Sequence, residues 1–183
     1  MRVSKEDWVI AATELLTKEG HSSLSVERLA RKLGVTRGSF YHHFSGVDDM
    51  HDAVLDDWKK AHTETVLYGA SVEEPLAEIN RLIQSIPTMS LDLEIHINAW
   101  AASNPRIAKF VAGIEKMRME RLVDIYQQLC QDDEKGRRLA KIGYYGLLGA
   151  AHAIPRLTKE ELQVLLMEVH EVMMAFSKTN APT

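Results

Sequence analysis

Residues 36–44, TRGSFYHHF, surround a single glycine with side chains that can form hydrogen bonds or carry charge. Arg37 can reach a guanine edge with two hydrogen bonds, or a phosphate, and Ser39 can reach either partner. Gly38 lets the backbone come close to a groove that a larger side chain would hold off. Tyr41 and His42 have the length to reach phosphate oxygens. This combination predicts a short helix that lies against a nucleic acid and not inside a core.

The residues before this stretch have the layout of a helix-turn-helix over 25–44. Ala30 and Gly34 lie four apart, which suits a small residue where two helices cross and a glycine with positive φ in the turn. Ser25 and Thr36 place hydroxyls and helix-start amides where they can meet a phosphate backbone. Four apolar residues are expected to fix the second helix against the first: Leu29, Leu33, Val35 and Phe40.

Each of these residues also has a purely structural interpretation. Ser25 and Thr36 could be helix caps and nothing more. Tyr41 could cover the hydrophobic seam to the first helix, and His43 is expected to pack against the helix that follows. Phe44 belongs to the core on either interpretation, so the DNA-binding hypothesis depends on the other residues.

The rest of the chain is predicted to be helical as well, giving an all-α fold of about nine helices. Apolar residues recur with helical spacing throughout, and no alternating β-branched segment indicates a strand. Ser45 is a plausible cap of the fourth helix, and residues 69–75, GASVEEP, break the pattern. The charged run at 131–136, QDDEKG, is predicted to be a loop before a helix from about Arg137 to Ile154.

Composition narrows the class of protein further. Residues 1–47 hold seven Lys and Arg against five Asp and Glu, whereas the remainder holds fifteen against twenty-one. The amino-terminal end is therefore the basic end, as a local DNA-binding surface requires. The single Cys130 excludes an internal disulfide and a multi-cysteine zinc site, and it fits a reducing cytoplasm. The start is no signal peptide, no apolar run reaches the roughly 18 residues of a membrane span, and no metal or cofactor motif is present.

The segment LLTKEGHSSLSVERLARKLGVTRGSFYHHFSGVDDM resembles the amino-terminal module of the TetR family of bacterial transcriptional regulators. The likeness covers about residues 9–55 and is most specific in GVTRGSFYHHF. It implies that 36–43 is the recognition helix, with two groups of contacts. Those on the phosphate side are Ser25, Arg28, Thr36, Tyr41 and His42. Those nearest the bases are Arg37, Gly38 and Ser39.

The chain departs from the family at the start of the fourth helix. The family usually places a phosphate-binding lysine there, but this chain has Val47 followed by Asp48 and Asp49. That contact is therefore not carried over, and DNA affinity is expected to be lower or differently distributed.

The resemblance also implies that residues 1–46 form a DNA-binding domain and 47–183 a ligand-binding and dimerisation domain. Large or polarizable side chains of the middle helices are candidates for the wall of an effector pocket, although each could be plain core. These candidates are Tyr68, Met89, His96, Trp100, Phe110, Met117 and Tyr126.

The segment KIGYYGLLGAAHAI carries three glycines that would each cost roughly 1 kcal/mol relative to alanine inside a helix. Such a smooth face suits close approach by another helix, either of a second subunit or of the same chain, or it could keep a pocket open. With the apolar last helix it predicts a two-fold interface. The residues assigned to this interface are Gly143, Gly146, Gly149, Ala150, Leu162, Leu166, Val169 and Met173.

These observations predict a cytoplasmic, ligand-responsive regulator and not an enzyme. The hypothesis is a repressor that binds a palindromic double-stranded DNA operator as a homodimer and is released by a small-molecule effector. The alternative is an adaptor of the same fold that acts mainly through a protein partner, with secondary DNA binding. Val47 in place of lysine and the acidic run DDMHDAVLDD favour it.

Overall fold

The computed structural model describes residues 3–68 and 74–179, with side chains up to 175. Within them every regular element is helical. The α-helices are α1 (Lys5–Glu19), α2 (Val26–Leu33), α3 (Arg37–Phe40), α4 (Val47–Lys59), α5 (Thr65–Tyr68), α6 (Pro75–Ser85), α7 (Leu91–Ser103), α8 (Pro105–Cys130), α9 (Asp133–Ala151) and α10 (Lys159–Thr179). Short 3-10 helices cover His21–Ser23 and Ile86–Thr88. A π-helical stretch, Lys60–Glu64, joins α4 to α5 without interruption, so these two count as one of the nine predicted helices. The all-α prediction is confirmed.

Capping residues decide where the first helices begin and end. The Ser4 hydroxyl accepts from the Asp7 backbone N–H, and the Asp7 carboxylate accepts from the Ser4 backbone N–H at 2.7 Å, which is a capping box. At the other end, Gly20 has φ +78, a conformation that side-chain-bearing residues rarely adopt. The expected break at 69–75 lies outside the described residues except for Glu74 and Pro75, and Pro75 opens α6.

The described chain divides into two compact units. The first comprises the residues up to Thr63 together with Ser90–Ala112, and the second comprises Glu64–Met89 and the residues from Gly113 onward. The predicted division at residue 46 concerns function and stays a prediction.

The core of the first unit is built on large side chains that are excluded from solvent. Helices α2, α4 and α7 pack against α1, and α3 packs against α2. The largest fully buried side chains there are Trp8, Leu16, Leu29, Phe40, Met50, Val54, Leu55, Trp58, Ile97 and Ile107. The helix-turn-helix therefore shares one core with α4 and α7.

In the second unit, α10 packs against α9 and α6. The predicted loop at 131–136 is wrong, because α9 starts at Asp133 and not near Arg137. The reason is local: the Asp132 side chain caps the helix by accepting from the Lys135 N–H at 2.9 Å. The helix also ends earlier than expected, at Ala151. None of the helices described is long and apolar enough to cross a bilayer.

Candidate nucleic-acid interface

The turn between α2 and α3 is closed by backbone hydrogen bonds. Gly34 has φ +68 and ψ +30, the left-handed conformation that glycine adopts without strain. Its N–H donates to the Arg31 carbonyl at 3.2 Å, and the Val35 N–H donates to the Ala30 carbonyl at 3.0 Å. These two bonds form a Schellman motif, which sets the direction in which the chain leaves α2.

Residues Phe40 and Tyr41 point in opposite directions. The Phe40 ring is fully buried, 5.4 Å from Trp8 in an edge-on arrangement and 5.0 Å from Phe44. The next residue, Tyr41, keeps 58% of its surface exposed and only touches the edge of Phe40. Beyond α3 the N–H groups of His43 and Phe44 both donate to the Phe40 carbonyl, so helical geometry continues past the four-residue helix. Because the Phe40 ring fixes one side of α3 in the core, the opposite side of the helix faces solvent.

The structure leaves the predicted DNA-contacting residues accessible at the start of α2 and along α3. Ser25 and Ser39 are half-buried. The exposed ones are Arg28, Thr36, Arg37, Gly38, Tyr41 and His42. The Ser25 hydroxyl caps α2 by accepting from the Arg28 N–H at 3.3 Å, whereas the Thr36 hydroxyl does not cap α3. The capping interpretation therefore holds for Ser25 and fails for Thr36, while the DNA contacts stay predictions.

Both guanidinium groups of this surface are engaged by glutamates, a feature that sequence reasoning missed. Arg28 Nη2 lies 2.7 Å from each carboxylate oxygen of Glu19. Arg37 Nη1 lies 2.9 Å from Glu27 Oε1. Residues nine or ten apart on different elements carry no simple spacing signal, so only the folded chain shows these pairs.

The acidic start of α4 is occupied by contacts within the chain. Gly46, and not Ser45, is the N-cap of α4. The Asp49 carboxylate instead accepts from the Ser45 backbone N–H at 2.8 Å, which lowers the pKa of Asp49. Arg106, near the start of α8, pairs with Asp52 and with Asp48, the latter at 3.1 Å. Val47 is 37% exposed, so the position where the family usually has lysine faces solvent here.

Trp100 is one of the predicted pocket residues, and it lies in the core of the first unit. The His21 ring stacks on it with centroids 5.9 Å apart, and the His51 ring meets it edge-on at 4.7 Å. Burial lowers the pKa of His51. His96, also predicted for the pocket, is half-buried, with its Nδ1 at 3.1 Å from where a Cβ on Gly20 would be. Phe110 is half-buried in the same unit.

The other predicted pocket residues belong to the second unit. Tyr126 is buried, and its hydroxyl is hydrogen-bonded to His170 Nδ1 at 3.0 Å. Burial raises the pKa of Tyr126. Met89 and Met117 are half-buried, and Tyr68 is 56% exposed. His170, which sequence reasoning missed, could have been noticed as the one histidine on the apolar last helix.

The predicted interface residues on α9 and α10 range from exposed to fully buried. Gly146 and Gly149 are exposed, with none of the other described atoms within 4 Å of a Cβ placed there, while Ala150 and Val169 are half-buried. Gly143 is half-buried beside Met173 and Tyr126. Three others are buried inside the chain: Leu162, Leu166 and Met173. Apolar residues of the same helix, Val164 and Val172, are exposed, and sequence spacing did not tell which of the apolar residues of α10 would be buried.

Comparison with known proteins gives two kinds of similarity. Residues 10–54 match the family described as bacterial regulatory proteins, tetR family. Over 45 residues the chain is 44% identical to the HTH-type transcriptional regulator SrpR of Pseudomonas putida, a stretch covering 25% of this chain and 21% of that protein. The match thus spans about a fifth of the relative's length.

Solved structures extend the similarity of fold over nearly the whole chain. A TetR-family transcriptional regulator from Streptomyces coelicolor superposes with a TM-score of 0.76 at 17% identity, over 94% of this chain and 95% of that one. A transcriptional regulator from Rhodococcus sp. Rha1 gives a TM-score of 0.72 at 17% identity, over 99% of both chains. At such identities the similarity concerns the fold alone.

Proposed function

We propose that this chain is a regulator of the TetR family, which binds a palindromic DNA operator through α2 and α3 and acts as a repressor. The match of residues 10–54 to bacterial regulatory proteins of the tetR family supports a regulatory and not a catalytic role. The observation that carries the proposal is the position of Phe40. Its burial leaves Arg37, Tyr41 and His42 on the accessible face of the helix that follows a left-handed glycine turn.

The same structure weakens the case for an adaptor that acts mainly through a protein partner. That alternative rested on the acidic run of α4 and on Val47. Asp48 and Asp52 pair with Arg106, and Asp49 is held by Ser45 and lies 3.7 Å from Lys5 Nζ. Because these carboxylates have partners within the chain, they offer less unpaired charge to another protein.

Arg37→Ala and Tyr41→Ala are expected to weaken DNA binding in different ways. Loss of a two-hydrogen-bond contact to guanine should cost about 5- to 150-fold on a duplex enriched by selection from random DNA, with little change on unselected DNA. Loss of a phosphate contact at Tyr41 should cost about tenfold on every duplex. Fluorescence anisotropy with labelled duplexes measures both effects.

Lys116→Ala is the matched control, because Lys116 is an exposed cation on α8 paired with Glu120 at 3.7 Å. It should change affinity by less than about twofold. If Arg37→Ala and Tyr41→Ala bind all duplexes as the control does, the interface is not on α3.

We also propose that two chains associate through α9 and α10. Support comes from an exposed stripe on α9 formed by Ile142, Tyr145, Gly146 and Gly149. On α10 Val172 is 69% exposed and Val164 54%. A two-fold pair would bury these residues and carry two copies of α3, so we expect the operator to be palindromic.

Val172→Glu is expected to separate the dimer, because the two-fold axis would bury the new carboxylate twice. The dissociation constant should rise by about 100-fold or more, which sedimentation velocity detects as a halved mass at micromolar concentration. Ile10→Glu on α1 is the control, since Ile10 is a 50% exposed apolar residue of the first unit and its change should leave the mass alone. A monomeric wild type, or a Val172→Glu protein of unchanged mass, contradicts the proposed interface.

We further propose that a small molecule bound by residues 47–183 releases the operator. Support comes from His170, which is 5% exposed and whose Nε2 has no hydrogen-bond partner among the described residues. A buried polar atom of this kind suits a ligand that supplies the missing partner. Such a ligand shifts DNA binding only through different affinities for the bound and released states, so operator affinity measured with and without candidate molecules tests this step.

A further inference from the structure

The pairing of Arg37 with Glu27 bears on how DNA sequences are discriminated, and this inference rests on the proposed DNA binding. Arg37 Nη1 lies 2.9 Å from Glu27 Oε1, and the two side chains are 62% and 52% exposed. An ion pair so open to water is held weakly. It can therefore be exchanged for another partner, provided that the new partner is at least as good.

Glu27 also lies among the predicted phosphate contacts. It is in the first turn of α2, between Ser25 and Arg28, and its exposed carboxylate belongs to the same surface. When this surface meets DNA, the carboxylate comes close to the phosphates. Any phosphate that takes Arg37 leaves the Glu27 charge unpaired in that negative environment, which opposes the exchange.

We propose that Glu27 is a specificity-determining residue. Its ion pair with Arg37 competes with contacts between Arg37 and the phosphates of arbitrary DNA, and it breaks only when a base edge binds Arg37 more strongly. A guanine offers O6 and N7 to both arms of the guanidinium, a contact worth about 5- to 150-fold in affinity over a wrong base. A phosphate in a random sequence offers no comparable gain over the carboxylate. The ion pair thus lowers binding to unmatched DNA more than binding to matched DNA.

Glu27→Gln tests this with two probes, a random-sequence duplex pool and a duplex enriched from that pool by the wild-type protein. Affinity for the random pool should rise about three- to tenfold, because Arg37 becomes available to phosphates. The ratio of affinities between the enriched duplex and the pool should fall by a similar factor. The plot of log affinity against log salt for the pool should steepen by about 0.9, since one more phosphate is neutralised.

Glu120→Gln is the control for net charge, because it also removes one carboxylate. Glu120 pairs with Lys116 on α8, and its side chain is 67% exposed. It should leave the ratio and the salt slope unchanged. In an Arg37→Ala background the Glu27→Gln change should leave the ratio of affinities unchanged, since no guanidinium is left to release and the lost carboxylate charge acts alike on both probes. Thermal unfolding of both glutamine variants within a few degrees of the wild type shows that the fold is intact.

The remaining outcomes overturn the inference. A Glu27→Gln protein that matches Glu120→Gln on both probes shows that the pair does not control Arg37. A protein that loses affinity for both probes shows that Glu27 contacts DNA or supports Arg37. A wild type that prefers no duplex over the pool defeats the proposed function itself, whereas a wild type with a preference that Glu27→Gln leaves unchanged defeats only the role of Glu27.

Discussion

Phe40→Ala is expected to destabilise the first unit by about 3–5 kcal/mol and to abolish DNA binding with it. The Phe40 ring is fully buried between Trp8 and Phe44, and its contact with Trp8 holds α3 against α1. Its removal leaves a cavity where rigid aromatic neighbours cannot easily close in. The apparent Tm followed by circular dichroism should fall by about 10 °C or more.

Tyr41→Ala separates stability from recognition, because Tyr41 is the next residue and faces solvent. That variant should melt within a few degrees of the wild type and still bind DNA more weakly. Phe40→Leu, which keeps most of the buried volume, should lie between wild type and Phe40→Ala in Tm. A Phe40→Ala protein that melts like the wild type would mean that α3 is held by something other than this ring.

Gly136→Ala is expected to destabilise the second unit even though alanine favours a helix by about 1 kcal/mol over glycine. A Cβ at Gly136 would lie 2.5 Å from both the Cα and the backbone N of Gln127, so α9 would have to move away from α8. Backbone atoms cannot rotate aside as a side chain can. Overpacking of this kind costs about 1–3 kcal/mol and sometimes more, so the net change should be a lower Tm.

Gly113→Ala is the matched control. It makes the same substitution inside α8, where none of the other described atoms lies within 4 Å of the added Cβ. It should leave Tm unchanged or raise it slightly. Equal shifts of the two variants in the same direction would mean that helix propensity alone governs both sites and that α8 and α9 are not as close as the structure places them.

Sequence reasoning succeeded where the signal is local. Ser25 begins α2 and Gly34 ends it, as their residue types suggest, and the inward position of Phe40 follows from helical spacing. It failed for 131–136, where the charge of QDDEKG concealed a capping aspartate and a glycine that contacts the preceding helix. A glycine in a polar run looks the same in a loop and at a helix crossing.

The amino-acid sequence by itself determined the helical fold, the position of the helix-turn-helix and the residues that α3 exposes, because caps and periodicity act within a few residues of one another. Only the tertiary structure decided which face of α10 packs inward, that Arg106 closes on Asp48 and Asp52, and that Glu27 holds Arg37. Those outcomes depend on which surfaces, distant in sequence, pack against each other. Apolar or charged side chains at the same spacing are compatible with more than one arrangement, and packing of the core selects one of them.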